Sequence, residues 1–189
     1  MTQQGKNAID LVLAESLIEL SAKKPIDKIT IKEITDKAGV IRPTFYNHFQ
    51  DKYELIGWII KTELLEPIKP LLNAGMIFEA IVLMLNNISA NSVFYKKALK
   101  LEGAVTFNQI AMKCVYEMFM NIISEKSTGK KSKYRWLTPE VISTYYAQSL
   151  CFITEGWIAQ GMDDIEPKEM AEAYMYLITR SMDDILSEL

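Results

Sequence analysis

One histidine, His48, and two cysteines, Cys114 and Cys151, are the whole supply of imidazole and thiol in this chain. A zinc or copper site of the usual kind has nothing to be built from, and no cofactor is called for. The two cysteines stand far apart, each within an apolar helical pattern. That pattern reads as buried free thiols of a reducing compartment, not as a disulfide. Glycine (8) and proline (6) are scarce and few short stretches alternate apolar with polar residues, so little is available to make a sheet. No apolar run approaches the ~18 residues of a membrane span, and the opening MTQQGKNAID has no signal-peptide core. The expectation is a cytoplasmic protein with no membrane partner. A Gly-rich phosphate loop and a nucleophile motif are also missing. The acid pairs Asp163-Asp164 and Asp183-Asp184 flank predicted helix ends, where solvation or capping accounts for them. An enzyme with an incidental helical hairpin therefore has no residues to stand on.

What is present is apolar material at helical spacing. With 189 residues, 49% hydrophobic and 24% charged, the chain is long enough to bury a sizeable core. The expected fold class is all-α. Net charge is −3, which rules out a general electrostatic nucleic-acid binder. Between residues 23 and 52, however, seven Lys or Arg face four Asp or Glu, a local excess of positive charge on an acidic protein. A small basic surface of that kind suits focused docking on DNA.

Residues 30–52, TIKEITDKAGVIRPTFYNHFQDK, carry most of the functional signal. Thr30 with Glu33 forms a capping box, Ile31, Ile34 and Ala38 recur at helical spacing, and Gly39 sits where a helix ends by entering the left-handed region. After a tight turn, Pro43 suits the first turn of a second helix, predicted over about 41–48. That helix sets Phe45 and Phe49 on one face and Arg42, Thr44, Tyr46, Asn47 and His48 on the rest. Two short helices joined by such a turn are a helix-turn-helix, whose second helix enters the major groove. Arg, Asn and His hydrogen-bond base edges, whereas Thr and Tyr hydroxyls and Lys reach phosphates. The candidate DNA-binding set is Thr30, Lys32, Arg42, Pro43, Thr44, Tyr46, Asn47, His48 and Lys52. Lys52 also follows Asp51, which with Glu54 reads as a second capping box at the start of the next helix.

TIKEITDKAGV followed by TFYNHFQDKYELI resembles the N-terminal DNA-binding domain of the TetR family of transcriptional regulators. Ala38-Gly39-Val40, Thr44-Phe45-Tyr46, His48-Phe49 and Asp51-Lys52 all fall in that family's register, over roughly residues 7–66. Ile41 departs from it: the family usually has a small capping residue there, and isoleucine cannot cap. Phe94-Tyr95 with Ala98-Leu99, and Trp157 four residues before Gly161, resemble a subgroup that includes the dihydroxyacetone-kinase operon activator. The resemblance implies a homodimer whose N-terminal domains bind a palindromic double-stranded DNA operator and whose C-terminal domain binds a small-molecule effector. A repressor is the leading reading; an activator of the same fold, or a helical adaptor without DNA, are the alternatives.

The division expected is a three-helix helix-turn-helix domain over 1–50, a linking helix over 51–66, and an effector-binding and dimerisation domain over 67–189. In the last, helices are predicted over 76–88, 92–101, 106–125, 139–160 and from Pro167 through Leu186, with 126–135 a basic loop. Aromatic and methionine side chains supply a candidate ligand set: Phe94, Tyr95, Phe107, Met112, Tyr116, Phe119, Gln148 and Phe152. Glu102, Asn108, Gln109 and Glu155 are further candidates for a polar handle. The last two long helices are apolar around most of their girth, so one of their partners belongs to a second chain. Tyr145, Trp157, Met170, Tyr174, Leu177 and Ile178 are the expected interface.

Overall fold

The computed structural model describes residues 3–102, 105–126 and 132–188, so most of the basic loop's Lys-rich centre, 127–131, lies outside the described residues. Every regular element among the described residues is helical, as the scarcity of alternating stretches requires. Helix α1 (Gln3–Lys23) lays Leu13, Ala14 and Leu17 into the core. Pro25 then leads a single 3-10 turn, Ile26–Lys28.

Helix α2 (Ile31–Ala38) starts on the expected capping box. Thr30 Oγ1 accepts from Glu33 N–H at 3.3 Å, and Thr30 N–H donates to Glu33 Oε2 at 2.9 Å. Lys24 adds an ion pair to the same carboxylate at 2.5 Å, and these contacts hold Glu33 down at about 2. Gly39 ends the helix at φ 69, the left-handed geometry that an L side chain adopts only with strain. Helix α3 (Arg42–Tyr46) is shorter than 41–48, because Asn47 and His48 tighten into a turn, with His48 N–H donating to Phe45 O at 2.9 Å. Phe45 and Phe49 lie 5.9 Å apart by ring centroid and, with Leu13, Leu17, Ile34 and Leu55, form the local core.

Helix α4 (Lys52–Ile59) is capped by Asp51, whose Oδ1 accepts from Tyr53 and Glu54 N–H at 2.8 and 2.9 Å. The reciprocal arm differs from the expected box: Glu54 reaches one residue further back, to Gln50 N–H at 2.6 Å. The helix then widens into a π turn, Ile60–Leu65, where Glu66 N–H donates to Lys61 O at 2.8 Å. Helical periodicity gives no sign of that turn. Pi turns inside α-helices are costly and collect at functional sites.

Beyond it come α5 (Lys69–Asn73), α6 (Ile77–Ala90), α7 (Ser92–Ala98), α8 (Phe107–Lys126), α9 (Pro139–Ala159), α10 (Pro167–Thr179) and α11 (Met182–Glu188). The stretch expected as one helix from Pro167 to Leu186 is two. Arg180 is extended, and Ser181 and Asp184 cap each other: Ser181 N–H donates to Asp184 Oδ2 and Asp184 N–H to Ser181 Oγ, both at 3.2 Å. The capping role open to Asp184 in the sequence is realised here, at the start of a separate helix. Helix α8 lies along α9, α10 packs on α6, and α1 touches both α4 and α7.

Candidate nucleic-acid interface and interior cavity

The outward face of α2, the turn and α3 presents Thr30, Lys32, Arg42, Pro43, Tyr46 and Asn47 to solvent, with Thr44 half-buried among them. Arg42 Nη2 lies 3.5 Å from Tyr46 Oη one helical turn on, so guanidinium and phenol form one hydrogen-bonding ridge. Phe45 beneath them is fully buried and fixes the helix against the core. Ile41 stands at the start of α3, 69% exposed, with no side-chain cap. Isoleucine there forgoes about 0.5–2 kcal/mol that Ser, Thr, Asn or Asp would provide.

Two residues of the expected DNA-reading set turn inward. The His48 side chain is 2% exposed, and its Nδ1 sits 2.6 Å from Asp10 Oδ1 of α1. It joins α3's end to α1 and does not face a base edge. Lys52 Nζ donates to the backbone carbonyls of Ile26, Asp27 and Ile29 at 2.9, 2.7 and 3.0 Å. Burial pushes its pKa down, with Asp27 opposing. Its three donors are spent on the 3-10 turn, which leaves none for a phosphate. Lys37 is likewise paired, with Glu19. The free positive charge of this face therefore narrows chiefly to Lys32 and Arg42.

A cavity of about 40 Å³ lies behind this unit, walled by the π turn (Ile60, Leu64, Leu65) and by residues of α6 to α9. Tyr95 and Phe107 of the expected ligand set line it. Phe94 is buried beside Tyr95 but outside the wall, and Met112, Tyr116 and Phe119 sit half-buried on other faces of α8. Gln148 and Phe152 are exposed on the outer face of α9, Phe152 at 76%, so neither belongs to an interior pocket in one chain. Sequence reasoning missed Thr154 and the π-turn residues. Thr154 Oγ1 is buried with no hydrogen-bond partner, and Glu155 beside it accepts from Asn108 Nδ2 at 2.6 Å. Burial raises the pKa of Glu155, with Asn108 opposing. Cys151 lines the same cavity, and burial pushes its thiol to about 12 and that of Cys114 to about 11. Both are free, buried and unreactive in this state.

Glu63 ties the π turn to the helices that wall the cavity. Its backbone carbonyl accepts from Asn87 Nδ2 at 2.8 Å; its Oε2 accepts from Asn91 Nδ2 at 3.2 Å and from Tyr95 Oη at 3.4 Å. Burial raises its pKa against those hydrogen bonds. Tyr95 thus touches the cavity on one side and the linking helix on the other.

The expected interface set also divides. Trp157 is 2% exposed and its indole N–H donates to Ile165 O at 2.9 Å, so it belongs to the core of one chain. Tyr174 is buried as well, its hydroxyl 3.1 Å from Ser149 Oγ. Tyr145 and Leu177 are exposed, while Met170 and Ile178 are half-buried. Tyr145 belongs to a stripe of α9 at three- and four-residue spacing: Val141, Tyr145, Gln148, Phe152, Gly156 and Ala159. A Cβ at Gly156 would meet nothing within 4 Å, and from Tyr145 to Ala159 every member of the stripe is exposed, while Val141 is half-buried.

A capped helix, a tight turn and a short polar-faced second helix, carried on a helical bundle with an interior cavity, define a helix-turn-helix regulator. Residues 15–57 match the model for bacterial regulatory proteins of the tetR family, and 76–180 match that for a transcriptional regulator C-terminal region. The chain belongs to the TetR family: it is a DNA-binding transcriptional regulator and not an enzyme. The HTH-type dhaKLM operon transcriptional activator DhaS of Lactococcus lactis subsp. lactis (strain IL1403) is 26% identical over 152 residues, 79% of each chain. A solved structure of the dihydroxyacetone kinase operon activator DhaS superposes with a TM-score of 0.62 at 21% identity, covering 90% of this chain and 93% of that one. Native NalD, the secondary repressor of the MexAB-OprM multidrug efflux pump in Pseudomonas aeruginosa, gives 0.58 at 12% identity over 92% and 96%. At those identities the two structures speak for the fold alone.

Proposed function

We propose that the protein is a homodimer that reads a palindromic operator and whose DNA affinity is set by a small effector bound in the cavity behind the π turn. The observation that carries this is the position of that turn. Ile60, Leu64 and Leu65 wall the cavity, while the same continuous helix begins at Lys52, which is bonded into the DNA-reading unit. A ligand that enlarges a 40 Å³ space must move its walls. Displacement of the π turn is then carried to α2 and α3, and the spacing of two recognition helices changes in a dimer. The effector is small and mainly apolar, because the wall is apolar apart from Thr154, Glu155, Tyr95 and the Cys151 thiol. Release of DNA on binding makes the protein a repressor. The likeness to an operon activator favours a second reading, in which the bound operator promotes transcription. Transcript level measured against occupancy at the regulated promoter, with and without effector, separates the two: transcription rises as occupancy falls for a repressor and falls with it for an activator.

The coupling is tested by screening small apolar and aromatic compounds for a joint effect. A true effector raises melting temperature and changes DNA affinity together, since both report one equilibrium. A screen in which only metal ions or polyphosphates alter DNA affinity would remove the reading.

Within the DNA face, Arg42→Ala and Asn47→Ala should change which base pairs are preferred, at about 1–3 kcal/mol on the cognate site. Tyr46→Phe should weaken cognate and random duplexes alike. Competition binding with both duplexes checks the sorting; equal losses for all three variants would refute it.

Glu63 gives a pH-dependent readout. Its pKa is raised in the folded state, so its contribution to stability is greatest when protonated and falls as pH rises through that folded value. Glu63→Gln keeps the acceptor for Asn91 and Tyr95 without the charge. It should be more stable than the wild type at pH 7 and lose that advantage near pH 4. Thermal melts across this range check it, and a less stable variant at pH 7 would contradict it.

A further inference from the structure

We infer that Ile41 reads the 5-methyl group of a thymine in each operator half-site. The inference rests on the chain's DNA-binding role and extends it to a residue outside the set of base readers named above. Ile41 occupies the turn between α2 and α3, next to Arg42, on the face that carries Pro43, Tyr46 and Asn47. It is the most exposed large aliphatic side chain of the helix-turn-helix, at 69%, and it stands directly before the exposed Arg42. No core residue needs it there, because Phe45 one turn on already anchors α3. The position also forgoes a side-chain cap that a Ser or Asn would make with the N–H groups of α3. An aliphatic group held in the open at that cost is explained by an apolar partner on the surface this face meets.

In the major groove, base edges offer hydrogen-bonding atoms at nearly every position, and the thymine methyl is the one alkyl group among them. Residues at the start of a recognition helix are those that reach base edges. An isoleucine there makes no hydrogen bond, so it takes nothing from the donors and acceptors of guanine, adenine or cytosine and buries most surface against the thymine methyl. Its consequence is a T in the operator position beside the one read by Arg42.

The test uses the full chain and duplexes selected by it from a randomised pool. Each thymine of the enriched half-site is replaced by deoxyuridine, which deletes the methyl and nothing else. One position should show a loss of about fourfold per half-site, and about fifteenfold when both half-sites are changed. Ile41→Ser, which restores a cap and should melt no lower than the wild type, should bind the thymine and uridine duplexes equally. Ile41→Val should retain part of the difference. Absence of any thymine–uridine difference in the wild type would overturn the inference, as would a difference that persists undiminished in Ile41→Ser, which would assign the methyl to Pro43 or Thr44. Retention of no duplex at all by the wild type would overturn the DNA-reading premise itself, an outcome distinct from tight binding without a methyl effect.

Discussion

Phe152→Glu is expected to split the protein into folded monomers and to lower affinity for a palindromic operator by at least about a hundredfold. The side chain is 76% exposed in one chain, so the charge costs the monomer little. In a dimer built on the α9 stripe, Phe152 lies centrally between Tyr145 and Gly156, and a carboxylate there would be desolvated without a partner. Two linked DNA-reading units act as a bivalent ligand, and such linkage contributes about 10²–10⁴ in avidity. Losing it leaves single half-site binding. Leu177→Glu on α10 should act in the same direction, since Leu177 is also exposed. Trp157→Glu, by contrast, should unfold the chain, because that indole is buried in one copy. Sedimentation of wild type and variant at micromolar concentration decides the matter. A wild-type monomer, or a Phe152→Glu dimer, would remove the interface.

Lys52→Ala is expected to cost about 2–3 kcal/mol of stability and to leave the salt dependence of DNA binding unchanged. A charged donor bonded to three backbone carbonyls makes hydrogen bonds of the stronger class, and its removal strands those acceptors at a partly buried turn. A phosphate contact behaves otherwise. Removing one lowers the slope of log affinity against log salt by about 0.9 and leaves the melt alone. The two outcomes are opposite in both measurements. A reduced slope with an unchanged melting temperature would return Lys52 to the DNA-contacting set.

Local signals in the sequence marked the helix-turn-helix well because they act within a few residues. Thr30, Glu33, Gly39 and Pro43 each satisfy or terminate a helix end by contacts with near neighbours. What escaped is what only tertiary packing decides. His48 and Asp10 are 38 residues apart, and nothing in either sequence neighbourhood pairs them. The carbonyls that capture Lys52 converge only once the 3-10 turn is folded against α4. Placement of the cavity depended on the rotational phase of α8, which directs Phe107, Ala111 and Val115 inward and turns Met112, Tyr116 and Phe119 aside. The π turn likewise shifts the phase of the residues that follow α4, and a single extra residue per turn leaves no compositional trace. The break at Arg180–Ser181 is legible in Ser181 and Asp184, which carry the cap signature, although an apolar period at helical spacing runs straight through it.

Two copies of this chain are proposed to read two-fold symmetric DNA. Selection of duplexes from a random pool by the full-length protein, followed by sequencing, tests it most directly. The expected result is an enriched palindrome whose half-sites are related by a dyad, bound by two chains or a multiple of two. Enrichment of a single asymmetric site bound by one chain, or no enrichment over the starting pool, would contradict it.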